Sequence, residues 1–414
     1  MQYIQLGSKE HKRASGAVLI GSTITFAIMY SPQPLISLYS KLYHISPATA
    51  SLSISLTAIA LAVSMFFVSA LAGAWRRKSI MSLSLIATSC LAILTSFVQN
   101  FQVFLIFRLL EGITIACFPS IAMAYLNEEF APKDLGKVMG YYVAGTATGG
   151  LIGRIIVGTL TDLTNWHVSF LLQGIVSLAG SLWFLFYLPE SKNFTKMVIT
   201  AKEWSRRMKA TLWNKQLLSM YVTGFLLMGS YITILDYIGY PLTKAPYFLS
   251  QTVFGFLFTV NLFGVYSSIL FGKLADRYSR RIILALAISI LMAGVLISLS
   301  GNLILKIVGV AAVAFGFMAG HSVASSWIGI LAPKDCKGQA SSFYLLFYYS
   351  GSSIFGWTGG IFLKHFGWSG LTAYVILLLL LAVCVSCKPW SRIYPPSESV
   401  LGKDIHKADL PDQL

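Results

Sequence analysis

Charged residues are scarce in this sequence, and acidic ones especially so. Of 414 residues, 11% are Asp, Glu, Lys or Arg, whereas 56% are hydrophobic, and the mean hydropathy is +0.71. Soluble domains carry about 25% charged residues. The composition therefore excludes an ordinary soluble protein and indicates a chain that crosses a membrane many times.

Motifs for catalysis, metal binding and cofactor binding are also lacking. The five cysteines lie in apolar runs or in loops on the side that we expect to face the cytoplasm, where disulfides are rare. No metal-ligand cluster, nucleophile elbow or phosphate-binding loop occurs in the sequence. We therefore expect no catalytic residue, metal site or cofactor, and no enzyme activity; a membrane sensor or enzyme is a distant alternative.

Long apolar runs dominate what is present. A helix needs about 20 apolar residues to cross a bilayer, and runs of that length recur with brief polar breaks. The pattern predicts twelve membrane-spanning helices at residues 15–38, 48–71, 79–98, 103–126, 138–160, 167–188, 217–239, 250–272, 282–300, 303–330, 338–363 and 368–387.

Basic residues outnumber acidic ones, 31 to 15, which gives a formal charge of +16. Such an excess can indicate a nucleic-acid partner, but most of the basic residues fall in alternate loops, the central segment and the two ends. That distribution follows the positive-inside rule. We therefore expect a multi-pass protein of the cell membrane with both termini in the cytoplasm, surrounded by lipid and without a nucleic-acid partner.

The two halves of the chain repeat one design. Phe130–Asp134 (FAPKD) recurs as Leu331–Asp335 (LAPKD), and 69–78 (SALAGAWRRK) is a degraded copy of 272–281 (GKLADRYSRR). Such repeats indicate two bundles of parallel topology. We predict an all-α membrane fold with two six-helix bundles related by a pseudo-two-fold axis. The expected domains are residues 1–188, a cytoplasmic linker 189–216, residues 217–387 and a cytoplasmic tail 388–414.

Several motifs resemble a known family. GKLADRYSRR resembles the signature loop of the major facilitator superfamily, and Arg108-x-x-x-Gly112 resembles its fourth-span motif. The segments 145–162, 321–329 and 337–353 resemble the bacterial YnfM-type transporters, a drug:proton antiporter-like subgroup.

The resemblance implies a monomeric bacterial transporter that exchanges protons for a small-molecule drug or metabolite by alternating access, with export as the expected direction. Import of a sugar, nucleoside or carboxylate is the alternative, since the fold serves both directions. The fifth-span motif lacks the Gly-Pro pair typical of antiporters and has Thr148-Gly149 in its place.

Two acidic residues fall inside predicted spans, Glu111 and Asp236. Ionisable groups are costly in a membrane and often mark proton relays. Glu111 follows Arg108 by three residues, so the two can pair on one helix face. The resemblance gives Arg108 a part in proton coupling, and a structural lock is the alternative. Asp236 suits a proton carrier because desolvation favours its neutral form, unless it is bathed in outside water.

His321, in the tenth span, could relay protons or donate a hydrogen bond to substrate. A structural hydrogen bond is the alternative. Arg154 could bind an anionic substrate group, or pair with Asp162 or Asp236. Pro32 and Pro34 should break the first span.

The break would make Tyr30 and Gln33 candidate lining residues, with a packing kink as the alternative. Further candidates for substrate contact share a polar or aromatic side chain near the centre of a span. They are Tyr237, Ser325, Trp327, Tyr348 and Trp357. Most aromatic residues in spans serve packing or interface anchoring instead.

The loop between spans 8 and 9 is the candidate gate, with Asp276, Arg277, Arg280 and Arg281. In the resembling family, an acid here acts as a latch that docks on a neighbouring helix or arginine when the inner side is closed. The corresponding position in the first half is Gly73, which cannot form a latch. We therefore predict an inner gate held mainly by the second half.

Overall fold

The computed structural model describes residues 3–71, 76–131, 134–194, 201–333 and 336–387, and these segments are almost wholly helical. The first half contains α1 (Lys9–Tyr30), α2 (Ile36–Leu42), α3 (Pro47–Leu71), α4 (Arg77–Thr95), α5 (Phe101–Glu129), α6 (Leu135–Leu163) and α7 (Trp166–Tyr187). A linker helix follows, α8 (Ala201–Leu212).

The second half contains α9 (Lys215–Tyr237), α10 (Gly239–Leu242), α11 (Gln251–Leu257), α12 (Asn261–Arg277), α13 (Arg280–Ile297), α14 (Leu303–Leu331) and α15 (Lys337–Cys387). Eleven helical stretches within the described residues are long and apolar enough to cross a membrane. The last of these bends at Gly367, where φ is +64°. Two helices therefore meet there, which gives the twelve spans that hydropathy predicts.

Asparagine caps fix the start of corresponding helices in the two halves. The side chain of Asn100 accepts hydrogen bonds from the backbone N–H groups of Gln102 and Val103 at the start of α5. Asn302 does the same at the start of α14. Each cap satisfies N–H groups that lack a partner within the helix, so the fourth span of each half begins in the same way.

The same pairs of spans pack together in both halves. In the first half α1 packs on α6, α3 on α5, and α4 on α5 and α7; in the second half α9 packs on α15, α12 on α14, and α13 on α14 and α15. The halves meet where α3 packs on α15 and α6 on α11. This arrangement is two six-helix bundles related by a pseudo-two-fold axis, as the sequence repeats predict.

Glycines allow α6 to approach α1 closely. A Cβ atom added to Gly153 would lie 2.7 Å from Cα of Ala27, and one added to Gly149 would lie 2.8 Å from Cα of Thr23. Small residues serve the same purpose wherever helices pack in lipid. The close approach brings Arg154, the next residue of α6, against the end of α1.

The described chain has two faces, which we name by the chain ends. On the terminal face, which carries the start of α1, the backbone N–H of Ile4 donates to the carbonyl of Glu129 (2.8 Å) and Lys192 pairs with Glu10 (2.8 Å). On the opposite, distal face, His167 contacts the carbonyl of Ser96 (2.8 Å).

The linker helix α8 packs on the second half, where it contacts α9 and α15. Its Met208 and Leu212 pack against the hydrophobic core of that half. The linker therefore contains a helix that contacts the second half. The tail 388–414, Gly73 and part of the linker (195–200) lie outside the described residues.

Candidate functional site between the two halves

A glutamine links two charged residues from opposite halves. Gln33 lies in the 3₁₀ turn Gln33–Leu35, where proline breaks the first span as predicted. Its Nε2 donates to Oδ1 of Asp236 (2.6 Å), and its Oε1 accepts from Nε of Arg154 (2.6 Å). All three side chains are buried. We call this set the Arg154–Gln33–Asp236 bridge.

Asp236 is buried to 1% exposure, so it is not bathed in outside water. Its second oxygen, Oδ2, has no hydrogen-bond partner among the residues that the structure describes. A Cβ atom added to Gly356 would lie 3.3 Å from that oxygen, so the backbone of α15 passes close by. An incompletely paired carboxylate buried in a span is costly, and protonation removes that cost.

Arg154 is 4% exposed, and its guanidinium is surrounded by neutral groups. Its Nη1 donates to the carbonyl of Gly150 (2.5 Å). The rings of Tyr30 and Phe258 lie 4.3 and 4.5 Å from its central carbon. Of the two predicted carboxylate partners, Asp236 is reached only through Gln33.

Asp162, the other predicted partner, belongs to a different contact. Its oxygens accept from the backbone N–H groups of Gln251 and Thr252 at the start of α11. Further contacts join the halves nearby: the hydroxyl of Ser353 donates to the carbonyl of Ser55 (2.7 Å). The distal face is therefore closed around the bridge.

The second half also contains a cluster of aromatic side chains on α9, α14 and α15. Tyr231 stacks on Phe317 (3.9 Å between ring centroids) and donates to Oδ1 of Asn261 (2.9 Å). His321 lies 4.8 Å from the ring of Tyr348, and its Nδ1 contacts the hydroxyl of Tyr344 (2.8 Å). His321 thus has a structural partner, while its predicted part in proton transfer stays a prediction.

Four residues of this region were not among the predicted site residues: Phe258, Tyr231, Asn261 and Tyr344. Asn261 carried a usable signal, since it is an amide near the middle of the predicted eighth span. The aromatic residues carried none, because 14% of the chain is aromatic.

Arg108 and Glu111 form an ion pair inside the first half. Both side chains are 0% exposed. Arg108 also donates to the backbone carbonyls of Ser53 (2.8 Å) on α3 and Met29 (2.8 Å) on α1, and Glu111 accepts from Thr95 (3.1 Å). The pair ties α5 to three neighbouring helices, which fits the structural lock. Its predicted part in proton coupling stays a prediction.

Of the remaining substrate candidates, Tyr237 lies at the bridge, whereas Ser325 and Trp327 lie elsewhere in the second half. Tyr237 donates to the carbonyl of Gly356 (2.5 Å). Ser325 donates within α14. Trp327 lines a cleft near the terminal face together with Arg281.

Trp357, another substrate candidate, lies on an exposed stripe of α15. It is 44% exposed, on an apolar stripe with Ile354 and Ile361. Such a stripe, one helical turn apart, is the outer surface that a membrane helix presents to lipid. The predicted part of Trp357 in substrate contact stays a prediction.

The candidate gate is held within the second half. Asp276, near the end of α12, pairs with Arg280 at the start of α13 (2.8 Å), and Arg280 also donates to the hydroxyl of Ser326 on α14 (2.9 Å). Arg277 is exposed. The latch hypothesis expects Asp276 to dock on a neighbouring helix or arginine. Asp276 does contact an arginine, but this arginine, Arg280, belongs to the same loop.

Twelve spans in two repeated bundles, with charged groups buried where the bundles meet, are the architecture of a membrane transporter. Comparison with known proteins agrees. The family model described as Major Facilitator Superfamily matches residues 18–250 and 219–409. The chain belongs to this superfamily.

Relatives that are named as transporters match the chain over nearly their whole length. The chain is 40% identical to "Uncharacterized MFS-type transporter YybF" of Bacillus subtilis, over 93% of this chain and 95% of the relative. It is 35% identical to "Inner membrane transport protein YnfM" of Escherichia coli, over 95% and 94%. A solved bacterial homologue of the human lysosomal transporter Spinster shares the fold, with a TM-score of 0.77 over 92% and 97% and 14% identity.

Proposed function

We propose that the chain is a proton-coupled secondary transporter of small molecules that works by alternating access. Asp236 is the group that takes up and releases the proton. One observation carries this proposal: a carboxylate buried between the halves has one oxygen without a hydrogen-bond partner in the described chain. That oxygen is the site of protonation.

The position of Asp236 couples its protonation to movement of the halves. Its hydrogen-bond partner Gln33 belongs to the first half, so opening the distal face separates the two and admits water to the carboxylate. The charged and neutral forms then have different stability in the closed and open states. A difference of this kind is what allows a proton gradient to drive a conformational change.

The moving units are the two six-span bundles, residues 1–188 and 217–387, joined by the linker 189–216. The basic loops support placing the terminal face and the tail 388–414 in the cytoplasm. The printed name of the Escherichia coli relative supports an inner membrane location. One chain supplies both bundles, so a monomer suffices for this mechanism.

Two directions of transport are compatible with this mechanism. Export in exchange for protons follows from the family resemblance, and it requires that proton and substrate compete for the protein. Import together with protons is the second candidate. It is favoured by Arg154, whose guanidinium pairs directly with no carboxylate in the described chain and is therefore available to an anionic substrate that enters with a proton. Substrate accumulation in cells that lack or overproduce the protein separates the two.

The proton site can be tested without a known substrate. In purified protein returned to lipid, infrared difference spectra between acidic and alkaline buffer should contain the band of a protonated carboxyl group. Asp236→Asn should remove this band. Glu190→Gln, at an exposed acid paired with Lys78, should leave it unchanged. An unaltered band in Asp236→Asn would show that the proton resides elsewhere.

A further inference from the structure

Arg154 holds a buried positive charge that the described chain does not neutralise directly. Nε donates to an amide oxygen and Nη1 to a backbone carbonyl, and both acceptors are neutral. The other terminal nitrogen, Nη2, has no hydrogen-bond partner among residues 3–71, 76–131, 134–194, 201–333 and 336–387. A guanidinium has five N–H donors and suits a carboxylate with two oxygens.

We propose that Arg154 binds the carboxylate of a small aromatic monocarboxylate, and that the proton on Asp236 and this anion bind together. The proposal rests on the proton-coupled transport proposed above and names its substrate class. It selects import with protons over exchange.

The charge balance of the Arg154–Gln33–Asp236 bridge gives the first reason. With Asp236 ionised, the bridge holds one positive and one negative charge and is neutral overall. Protonation of Asp236 leaves Arg154 as its only charge. Because an uncompensated charge in a membrane is unfavourable, a bound anion stabilises the protonated form. Proton and anion therefore increase each other's affinity, as thermodynamic linkage requires.

The surroundings of Arg154 give the second reason. The rings of Tyr30 and Phe258 pack on the guanidinium. Tyr30 and Tyr348 are only partly buried, whereas Phe258 is buried. A partly buried aromatic ring beside a bound group can stack on an aromatic ligand. A carboxylate bound to the guanidinium would bring its own ring next to Tyr30, whose ring lies 4.3 Å from the central carbon of Arg154.

A cationic ligand fits this position less well. It would meet the guanidinium of Arg154 as a like charge, at a place where low dielectric strengthens repulsion. Drug-like cations are therefore the class that the bridge disfavours. Neutral ligands gain nothing from the charge, which makes the neutral amide of a carboxylate the matched control.

Ligand-induced stabilisation of the purified full-length protein tests the proposal, because a ligand that binds the folded state raises its melting temperature. The probes are benzoate and phenylacetate, with benzamide and phenylacetamide as their neutral counterparts. We expect both carboxylates to stabilise the protein at mildly acidic pH, more weakly at mildly alkaline pH, and the amides to have no effect.

Three variants assign the effect to the bridge. Arg154→Gln should weaken carboxylate binding by about tenfold or more, the worth of a charge-assisted hydrogen bond, and Arg154→Lys should retain part of it. Asp236→Asn imitates the protonated form, so its carboxylate binding should be undiminished and independent of pH. Arg13→Gln, at an exposed arginine against Tyr187 on the terminal face, should bind like the unaltered protein.

The outcomes separate this inference from the proposed function. If neither carboxylate stabilises the unaltered protein or Asp236→Asn, while the carboxyl band of Asp236 is present, the anion site is refuted and proton coupling stands. Equal binding of amides and carboxylates would refute it as well. If carboxylates bind through Arg154 with the same affinity at both pH values, the anion site stands and coupling through Asp236 is refuted.

Discussion

Asp162 of the first half accepts two hydrogen bonds from Thr252 of the second half, one from its backbone N–H and one from its hydroxyl, both at 2.6 Å. A third comes from the backbone N–H of Gln251 (3.2 Å). The carboxylate therefore caps α11, although it belongs to α6. A cap that comes from another helix satisfies the same N–H groups as a local one, and here it also holds the distal face closed.

Removing this cap should open the distal face. Asp162→Ala removes interactions worth about 1 kcal/mol in a typical helix cap, which changes a conformational equilibrium about fivefold. The measurement is the labelling rate of Ser37→Cys, a buried position of α2, by an impermeant thiol reagent. We expect faster labelling in Asp162→Ala and no change in Thr164→Ala, whose hydroxyl bonds within its own helix. Equal rates in both variants would contradict a gating role.

Close packing of α1 on α6 should make Gly153 intolerant of a side chain. Gly153→Ala would place a Cβ atom 2.7 Å from Cα of Ala27, and such overpacking costs about 1–3 kcal/mol. We expect a lower melting temperature in detergent. Gly140→Ala is the matched control on the same helix, since nothing lies within 4 Å of the added atom, and it should be neutral. A neutral Gly153→Ala would show that the helices can separate at no cost.

Breaking the buried Arg108–Glu111 pair should destabilise the fold. Glu111→Gln leaves Arg108 as an uncompensated charge, which costs about 3–5 kcal/mol in a protein interior. The double variant Arg108→Met, Glu111→Leu removes both charges and should recover part of the loss. Thermal unfolding measures this, and Glu10→Gln, at an exposed pair with Lys192, should change little. If Glu111→Gln is as stable as the unaltered protein, the structural lock is wrong.

The pair between Asp276 and Arg280 should bias the terminal face toward closure. Asp276→Asn removes an exposed ion pair, and such pairs contribute about 0.2–1 kcal/mol, so the shift is at most about fivefold. We expect Ser342→Cys, at the start of α15, to be labelled faster from the terminal side. Gly73→Asp, outside the described residues, should oppose the effect. Unchanged labelling in both variants would refute an inner gate held mainly by the second half.

The spans and the break in the first helix could be predicted because each depends on local sequence. Hydropathy over about 20 residues defines a span, and Pro32 and Pro34 interrupt a helix wherever they occur. The last two predicted spans form one continuous helical stretch that bends at Gly367. Hydropathy alone predicted them correctly as two spans.

The three residues of the bridge could be predicted as candidates one by one, but the hydrogen bonds that connect them could not. Arg154 and Asp236 stand out because charges are rare in spans, and Gln33 because it follows Pro32. Their connection is a contact between residues 121 and 203 positions apart, and a single sequence carries no information about such distances. The exposure of Trp357 was unpredictable for a related reason: which residues of α15 are exposed depends on the neighbouring helices.

The amide of Gln33 sets how firmly the two halves hold together. If Arg154 reached Asp236 directly, each opening of the distal face would break a buried ion pair, at about 3–5 kcal/mol. With the amide between them, opening breaks at the bridge itself a single hydrogen bond to a carboxylate, at about 1.5–3 kcal/mol. The neutral amide thus lowers the free energy that opening the distal face requires. A small opening free energy allows a transporter to change conformation rapidly.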